Sequence, residues 1–198
     1  MLTIHCDSHV YGPGDDSYLL LDVLLTEPLS GRGLEMGIGT GIIALHVSHF
    51  FDEFIGVDIS PQAVALARYN ARINAIESSC LQFYASDLFS HVSGVFDVIV
   101  CNPPYVPADE AIETVEDLSY HGGQDGRQFI DMFLHSMPSF LASHGVLYLL
   151  QSSLTGIEKT QEFLKRKGFL WKISGRKKLF FEELVIFKIF RKGFHDQT

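Results

Sequence analysis

The chain has 198 residues, 46% apolar and 20% charged, which suits one globular domain with a substantial core and excludes a disordered chain. No apolar run approaches the ~18 residues that span a bilayer, and the N-terminus lacks the basic-then-apolar pattern of a secretory signal. The formal charge of −9 disfavours a nonspecific grip on nucleic acid, although the charge is uneven: residues 1–130 carry 4 Lys and Arg against 18 Asp and Glu, residues 131–198 carry 11 against 6.

In chain order, Asp15 or Asp16 is placed to cap a first helix whose apolar face is Leu19, Leu20, Val23 and Leu24, ending near Pro28. Gly33–Met36 reads as a short buried strand running into a glycine-rich turn, and 41–50 as a helix. Phe54–Asp58 is a second strand, and Ser60-Pro61, a cap followed by an N1 proline, opens a helix through Asn74. Leu81–Tyr84 is a third strand. Phe96–Cys101 is a fourth, with the near-continuous apolar run of a strand covered on both faces. A helix over 127–141, a strand over 146–150 and a helix over 156–167 follow. Two last strands, 169–173 and 184–190, share no helix and are expected to pair antiparallel at one edge. No repeat, low-complexity tract or linker divides residues 1–198, so they read as one domain. The alternation implies a doubly wound α/β fold with a mostly parallel sheet and right-handed crossovers.

Two strings carry the chemistry. Glu35-Met36-Gly37-Ile38-Gly39-Thr40-Gly41 stands at the first strand-to-helix junction, where an open α/β sheet binds its ligand. A dinucleotide fingerprint needs glycine at 42, which is Ile42; GxGxG after an acid fits a nucleoside without a pyrophosphate, of which S-adenosylmethionine is the usual case. Glu35 is placed to meet its cationic amino group. Asp58, followed by Ile59, ends the second strand where a carboxylate takes both ribose hydroxyls. Asp87 and Leu88 follow the third strand, where an acid takes the adenine amino group and an apolar side chain covers the ring.

The second string, Asn102-Pro103-Pro104-Tyr105, follows the fourth strand directly. A planar NH2 group is a poor nucleophile because its lone pair is delocalised. The Asn102 side-chain oxygen and the Pro103 carbonyl are placed to hold its two hydrogens and aim the nitrogen at a methyl donor. The prolines stiffen the loop, and Tyr105 is expected to pack on the planar group. A glutamine amide, the adenine N6 amine of DNA or RNA and a lysine amine all remain open on these residues. The acidic first two thirds oppose the nucleic-acid substrate.

Together with these strings, Val10-Tyr11-Gly12-Pro13-Gly14-Asp15-Asp16-Ser17-Tyr18-Leu19-Leu20-Leu21-Asp22 and Gly122-Gly123-Gln124-Asp125-Gly126-Arg127 resemble the eukaryotic and archaeal HemK-like glutamine methyltransferases, from Val10 to the C-terminus. The resemblance implies a Rossmann-like class I methyltransferase fold, a mostly parallel seven-stranded sheet with a C-terminal antiparallel hairpin. It implies methylation of the glutamine N5 in the GGQ loop of the class-1 translation release factor. Tyr11, Pro13 and Ser17 would then close over the cofactor, beside Glu35, Gly37, Gly39, Gly41, Asp58, Ile59, Asp87 and Leu88. Asn102, with Pro103, Pro104 and Tyr105, would hold the substrate. Gly12, Gly14 and Ser17 depart mildly from the family pattern.

The resemblance further implies a small zinc-binding activator subunit as obligate partner, and a GTPase accompanying the release factor. Bacterial relatives carry an N-terminal recognition domain; about nine residues precede the first motif here, so recognition is expected from loops and the partner. The third strand, at the sheet edge with Phe83 and Tyr84, is where strand addition would seat the activator, bordered by 52–56 and 80–84. The implied compartment is the cytoplasm, with the nucleus as a second one, and cysteine usage agrees. His5, Cys6 and His9 lack a distant fourth ligand, so no metal site is expected; Cys101 reads as a small buried side chain, and the internal Gly122-Gly123-Gln124 as a loop, not a substrate.

Overall fold

The computed structural model describes residues 2–76, 79–106 and 122–193. Among these residues five α-helices and seven strands follow one another: α1 (Asp15–Leu24), β1 (Arg32–Met36), α2 (Ile42–Val47), β2 (Glu53–Asp58), α3 (Pro61–Ile73), β3 (Leu81–Ala85), β4 (Phe96–Cys101), α4 (Gln128–Ser136), β5 (Leu141–Ser152), α5 (Ile157–Lys167), β6 (Phe169–Lys178) and β7 (Glu183–Arg191). The strands form one sheet in the order β3-β2-β1-β4-β5-β7-β6; β1 to β5 are parallel, and β7 runs antiparallel to both its neighbours. The expected terminal hairpin is therefore present, with β6 at the edge and β7 inserted against β5.

Alternation along the central strands explains why the sheet is covered twice. Val98 and Val100 of β4, with Val146 and Tyr148 of β5, face a core built with α1, α2 and α3. Ile99 and Cys101, with Leu147 and Leu149, face a second core built with α4 and α5. A strand whose successive side chains are all buried needs apolar residues at every position, and Phe96–Cys101 supplies them except at Asp97. The chain reverses its winding between β1 and β4, which opens a cleft above the C-terminal ends of these two strands. Met36 pairs with Cys101 there, so the glycine loop and Asn102 leave the sheet side by side.

Several boundaries differ from the sequence expectation. Ser60 does cap α3, its Oγ accepting from Ala63 N at 3.3 Å with Pro61 at the first position. In α1 the cap position belongs to Gly14, with neither acid capping; Asp15 and Asp16 sit in the first turn, where the helix dipole still favours them. The fifth strand begins at Leu141 rather than Val146, because polar Ser143 and His144 mask its exposed start. β2 is interior: Phe54, Ile55 and Gly56 are buried, so of residues 52–56 only Asp52 and Glu53 reach the surface. The edge at this side of the sheet is therefore β3, and Arg68 of α3 already donates to one of its carbonyls, that of Phe83.

Candidate active site

The cleft at the β1/β4 switch point is lined by residues from every strand end that the sequence singles out. Tyr11, Pro13 and Ser17 come from the N-terminal strap and α1. Glu35, Gly37 and Gly39 come from β1 and its turn, Asp58 and Ile59 from β2, Asp87 and Leu88 from the β3 end, and Asn102 and Pro104 from the β4 end. Gly41, Pro103 and Tyr105 do not line it. Gly41 instead adopts a φ of +81° at the start of α2, and a Cβ there would stand 3.1 Å from the Ala67 Cβ, so it lets two helices approach. Pro103 is buried beneath the loop.

The glycine turn is shaped by β2. The Gly37 and Ile38 amides both donate to the Val57 carbonyl, and the Gly39 amide donates to Asp58 Oδ2 at 3.1 Å. Ser60 N donates to Asp58 Oδ1 at 2.9 Å, so each carboxylate oxygen holds one backbone N–H and keeps lone pairs for a further donor pair. Glu35 is 4% exposed, and its Oε2 accepts from Ala44 N at 2.9 Å. Burial pushes the Glu35 carboxyl well above its ordinary range, the Ala44 amide offsets this in part, and Asp58 adds to it. Burial also raises Asp58, against the pull of its backbone donors. Two under-compensated carboxylates over one cavity fit a cationic ligand with vicinal hydroxyls.

On the far side, Leu88 holds a φ of +45°, a conformation that costs a branched-chain residue energy. Ser86 Oγ donates to the Leu88 carbonyl at 2.8 Å and accepts from His91 N at 3.1 Å, fixing that turn. Ile59 is 38% exposed, and it and Leu88 supply apolar walls to the cavity between Asp58 and Asp87. The strap that closes the near side is tied down by α3. Asn70, fully buried, accepts from His5 N and donates to the carbonyls of His5 and Thr40, linking strap and glycine turn. Val10 packs on Ala63 and Leu66.

The reaction side is organised by a residue that the sequence places only as a helix cap. Asp16 is 2% exposed, and its Oδ2 accepts from Tyr11 OH at 2.9 Å, Asn102 Nδ2 at 3.1 Å and Tyr105 OH at 3.3 Å. A carboxylate can only accept, so the group that Asn102 offers it is its NH2, and the Asn102 oxygen is left over. That oxygen is buried and has no hydrogen-bond partner among the described residues. Tyr105 holds Asp16 through its hydroxyl; burial and the Asp16 charge push that hydroxyl far above the usual range. Cys101 is fully buried, and burial together with Glu35 keeps its thiol protonated, so it offers no nucleophile.

The Gly122–Arg127 segment buttresses this loop. A Cβ on Gly122 would stand 2.7 Å from the Pro104 carbonyl oxygen, and one on Gly126 2.4 Å from that of Tyr105. Arg127, 2% exposed, anchors the segment by donating to the carbonyls of Thr155 and Gly156, to Thr160 Oγ1 and to Asp131. Gln128, Phe129 and Met132, just beyond it, line the cavity. Neither these three nor the inward turn of Asp16 follows from the motifs; Gln128, Phe129 and Met132 share α4 with Asp131, and their position just after the glycine segment is the signal that points to them.

This arrangement is that of a methyltransferase. The methyltransferase small domain family matches residues 3–172, and the chain belongs to it. S-adenosylmethionine is the cofactor expected of this family and fold, and the carboxylate pair above the glycine turn suits it. A Methanocaldococcus jannaschii protein provisionally named a protein N5-glutamine methyltransferase is 43% identical over 185 residues, 92% of either chain. Human Methyltransferase HEMK2 is 29% identical over 171 residues, 81% of this chain and 80% of that protein. Among solved structures, the E. cuniculi Mtq2-Trm112 complex, described as responsible for methylating the eRF1 translation termination factor, superposes with a TM-score of 0.73 at 26% identity. The match covers 93% of this chain and 99% of that one.

Proposed function

We propose that the chain methylates the side-chain amide nitrogen of a protein glutamine, and that its substrate is the GGQ loop of a class-1 release factor. The observation that carries this reading is the buried, unpartnered Asn102 Oδ1, fixed in direction by Asp16. A buried acceptor left unpaired costs about 1–3 kcal/mol, which the fold bears and a substrate N–H would recover. The similarity to the M. jannaschii and human proteins and to the Mtq2 chain supports the choice of a protein glutamine.

When bound, S-adenosylmethionine supplies a methyl group activated by a sulfonium. Glu35 would hold its amino group, Asp58 the ribose hydroxyls, and Asp87, Ile59 and Leu88 the adenine, while Gly37 and Gly39 allow close approach of backbone. Tyr11, Pro13 and Ser17 would cover it. Asn102 Oδ1 accepts one N–H of the substrate amide and sets the direction of the nitrogen lone pair. Pro104, on the cavity wall, and Pro103 beneath it hold Asn102 in place. No general base is needed, because the nitrogen sheds its proton once it is alkylated.

A second subunit, of the kind the Mtq2-Trm112 complex suggests, would add along β3, with 80–84 as the bonded edge and Arg68 displaced from the Phe83 carbonyl. The test is transfer of labelled methyl from S-adenosylmethionine, with and without such a subunit, to release factor, to its Gln→Ala version and to adenine-containing oligonucleotides. Label on the glutamine protein alone is expected. Equal labelling of the Ala version, or labelling of the oligonucleotides, would overturn the reading.

A further inference from the structure

The three most exposed large apolar side chains among the described residues are Phe180 (91%), Phe181 (83%) and Leu154 (59%), and they share one rim of the molecule. Phe180 and Phe181 form the tip of the β6–β7 hairpin, their rings edge-to-face at 4.5 Å. Leu184 pairs with Ser152 and Leu149 with Cys101, so the tip lies at the same end of the sheet as Asn102.

The tip is braced. Leu179 N donates to the Glu182 carbonyl, closing the turn, and the Glu182 carboxylate accepts from Ser152 Oγ. Glu183 N donates to Ser153 Oγ at 2.9 Å, joining the tip to the turn that carries Leu154, and Lys177 Nζ meets Asp15, the neighbour of Asp16, at 3.0 Å. Two phenylalanines held rigidly in water are a cost to the free protein and a pre-organised anchor for a partner.

We propose that Phe180, Phe181 and Leu154 are the docking surface for the folded protein that carries the methylated glutamine, an inference that rests on the reading above. The rim borders the reaction side of the cleft, and the edge strand beside it presents Lys178, while Arg176 is paired with Glu183 at 2.8 Å, so the complementary surface is an apolar pocket with an acidic group at its border. A subunit added at β3 occupies the opposite end of the strand order and leaves this rim uncovered.

The test uses the chain with its activator subunit and full-length release factor, comparing F180S/F181S with the native sequence. The expected result is a 10- to 100-fold rise in KM for the protein substrate. The kcat at saturating substrate, the cofactor Kd, the melting temperature and co-purification of the activator stay unchanged. An unchanged KM, or a fall in kcat at constant KM, would overturn the proposal. So would loss of the activator, or a change confined to binding of RNA. Leu154→Ser, which leaves the hairpin intact, is expected to raise KM in the same direction by a smaller factor; no rise would contradict a shared surface. If the native chain labels no glutamine protein, the functional reading fails and this inference falls with it. If it labels one and the variant matches it, this inference alone fails.

Discussion

The cofactor half and the reaction half of the cleft treat their polar groups in opposite ways. Over the glycine turn, Glu35 and Asp58 are each partly satisfied by backbone amides, and burial still leaves both short of compensation. Over the β4 loop, one carboxylate, Asp16, collects four side-chain donors, three of them on Oδ2 and Ser17 Oγ on Oδ1, and the group it orients, Asn102, keeps a bare buried oxygen. The first half is built to attract a cation with hydroxyls by charge. The second aims one neutral acceptor by mechanical support. Charge secures affinity and aim secures rate, so the two halves should fail differently when cut.

The largest effect belongs to the reaction half. Asn102→Ala is expected to lower kcat about 10³-fold and leave the cofactor Kd within a few-fold, read by single-turnover labelling and calorimetry. Loss of cofactor binding in step with activity would dissolve the distinction between the halves. Glu35→Gln should do the reverse, weakening the cofactor about 10- to 100-fold. Its pH signature sharpens the contrast. Because burial raises Glu35 above its ordinary 4.5, the native chain keeps a proton that the unfolded chain has lost. Stability of the free protein therefore contains a contribution that is lost as pH rises from that value through the raised one, while cofactor affinity rises over the same window. Both slopes should shrink in Glu35→Gln, as melts and titrations from pH 4.5 upward would show.

Gly126→Ala presses a methyl group on the Tyr105 carbonyl and strains a φ of +68°. It should lower kcat about 10-fold through a displaced loop, with cofactor affinity preserved, since misplacement of about an ångström costs up to 10²-fold. Ser86→Ala, which frees the Leu88 turn, should weaken the cofactor by only about 2- to 10-fold without touching substrate KM.

The difference between the halves also sets how much was legible in the sequence. Glu35, Asp58 and Asp87 end consecutive strands, and a local pattern of apolar run, glycine or acid places them in the cleft without tertiary knowledge. Phe96–Cys101 and the Ser60-Pro61 start are fixed by neighbours in sequence and match the structure residue for residue. Asp16 was not legible. In a helix's first turn an acid normally serves the dipole in water, and its inward turn here depends on Tyr11 and on Asn102 and Tyr105, the last two 86 and 89 residues away. The same distance effect separates the structure from the expectation of Gly41 as a ligand contact, which the approach of Ala67 explains, and of Phe54 to Gly56 as interface, which pairing with β1 and β3 buries. Motif spacing shows which residues meet the cleft, and long-range hydrogen bonds decide which hold one another.

The most direct test of the central claim is a structure of the chain with demethylated cofactor product and a glutamine peptide. The account predicts Asn102 Oδ1 at hydrogen-bond distance, about 2.9 Å, from the glutamine amide nitrogen, with Asn102 Nδ2 still on Asp16. An Asn102 oxygen bonded to the cofactor or to Asp16's other donors, with the glutamine nitrogen held elsewhere, would contradict it.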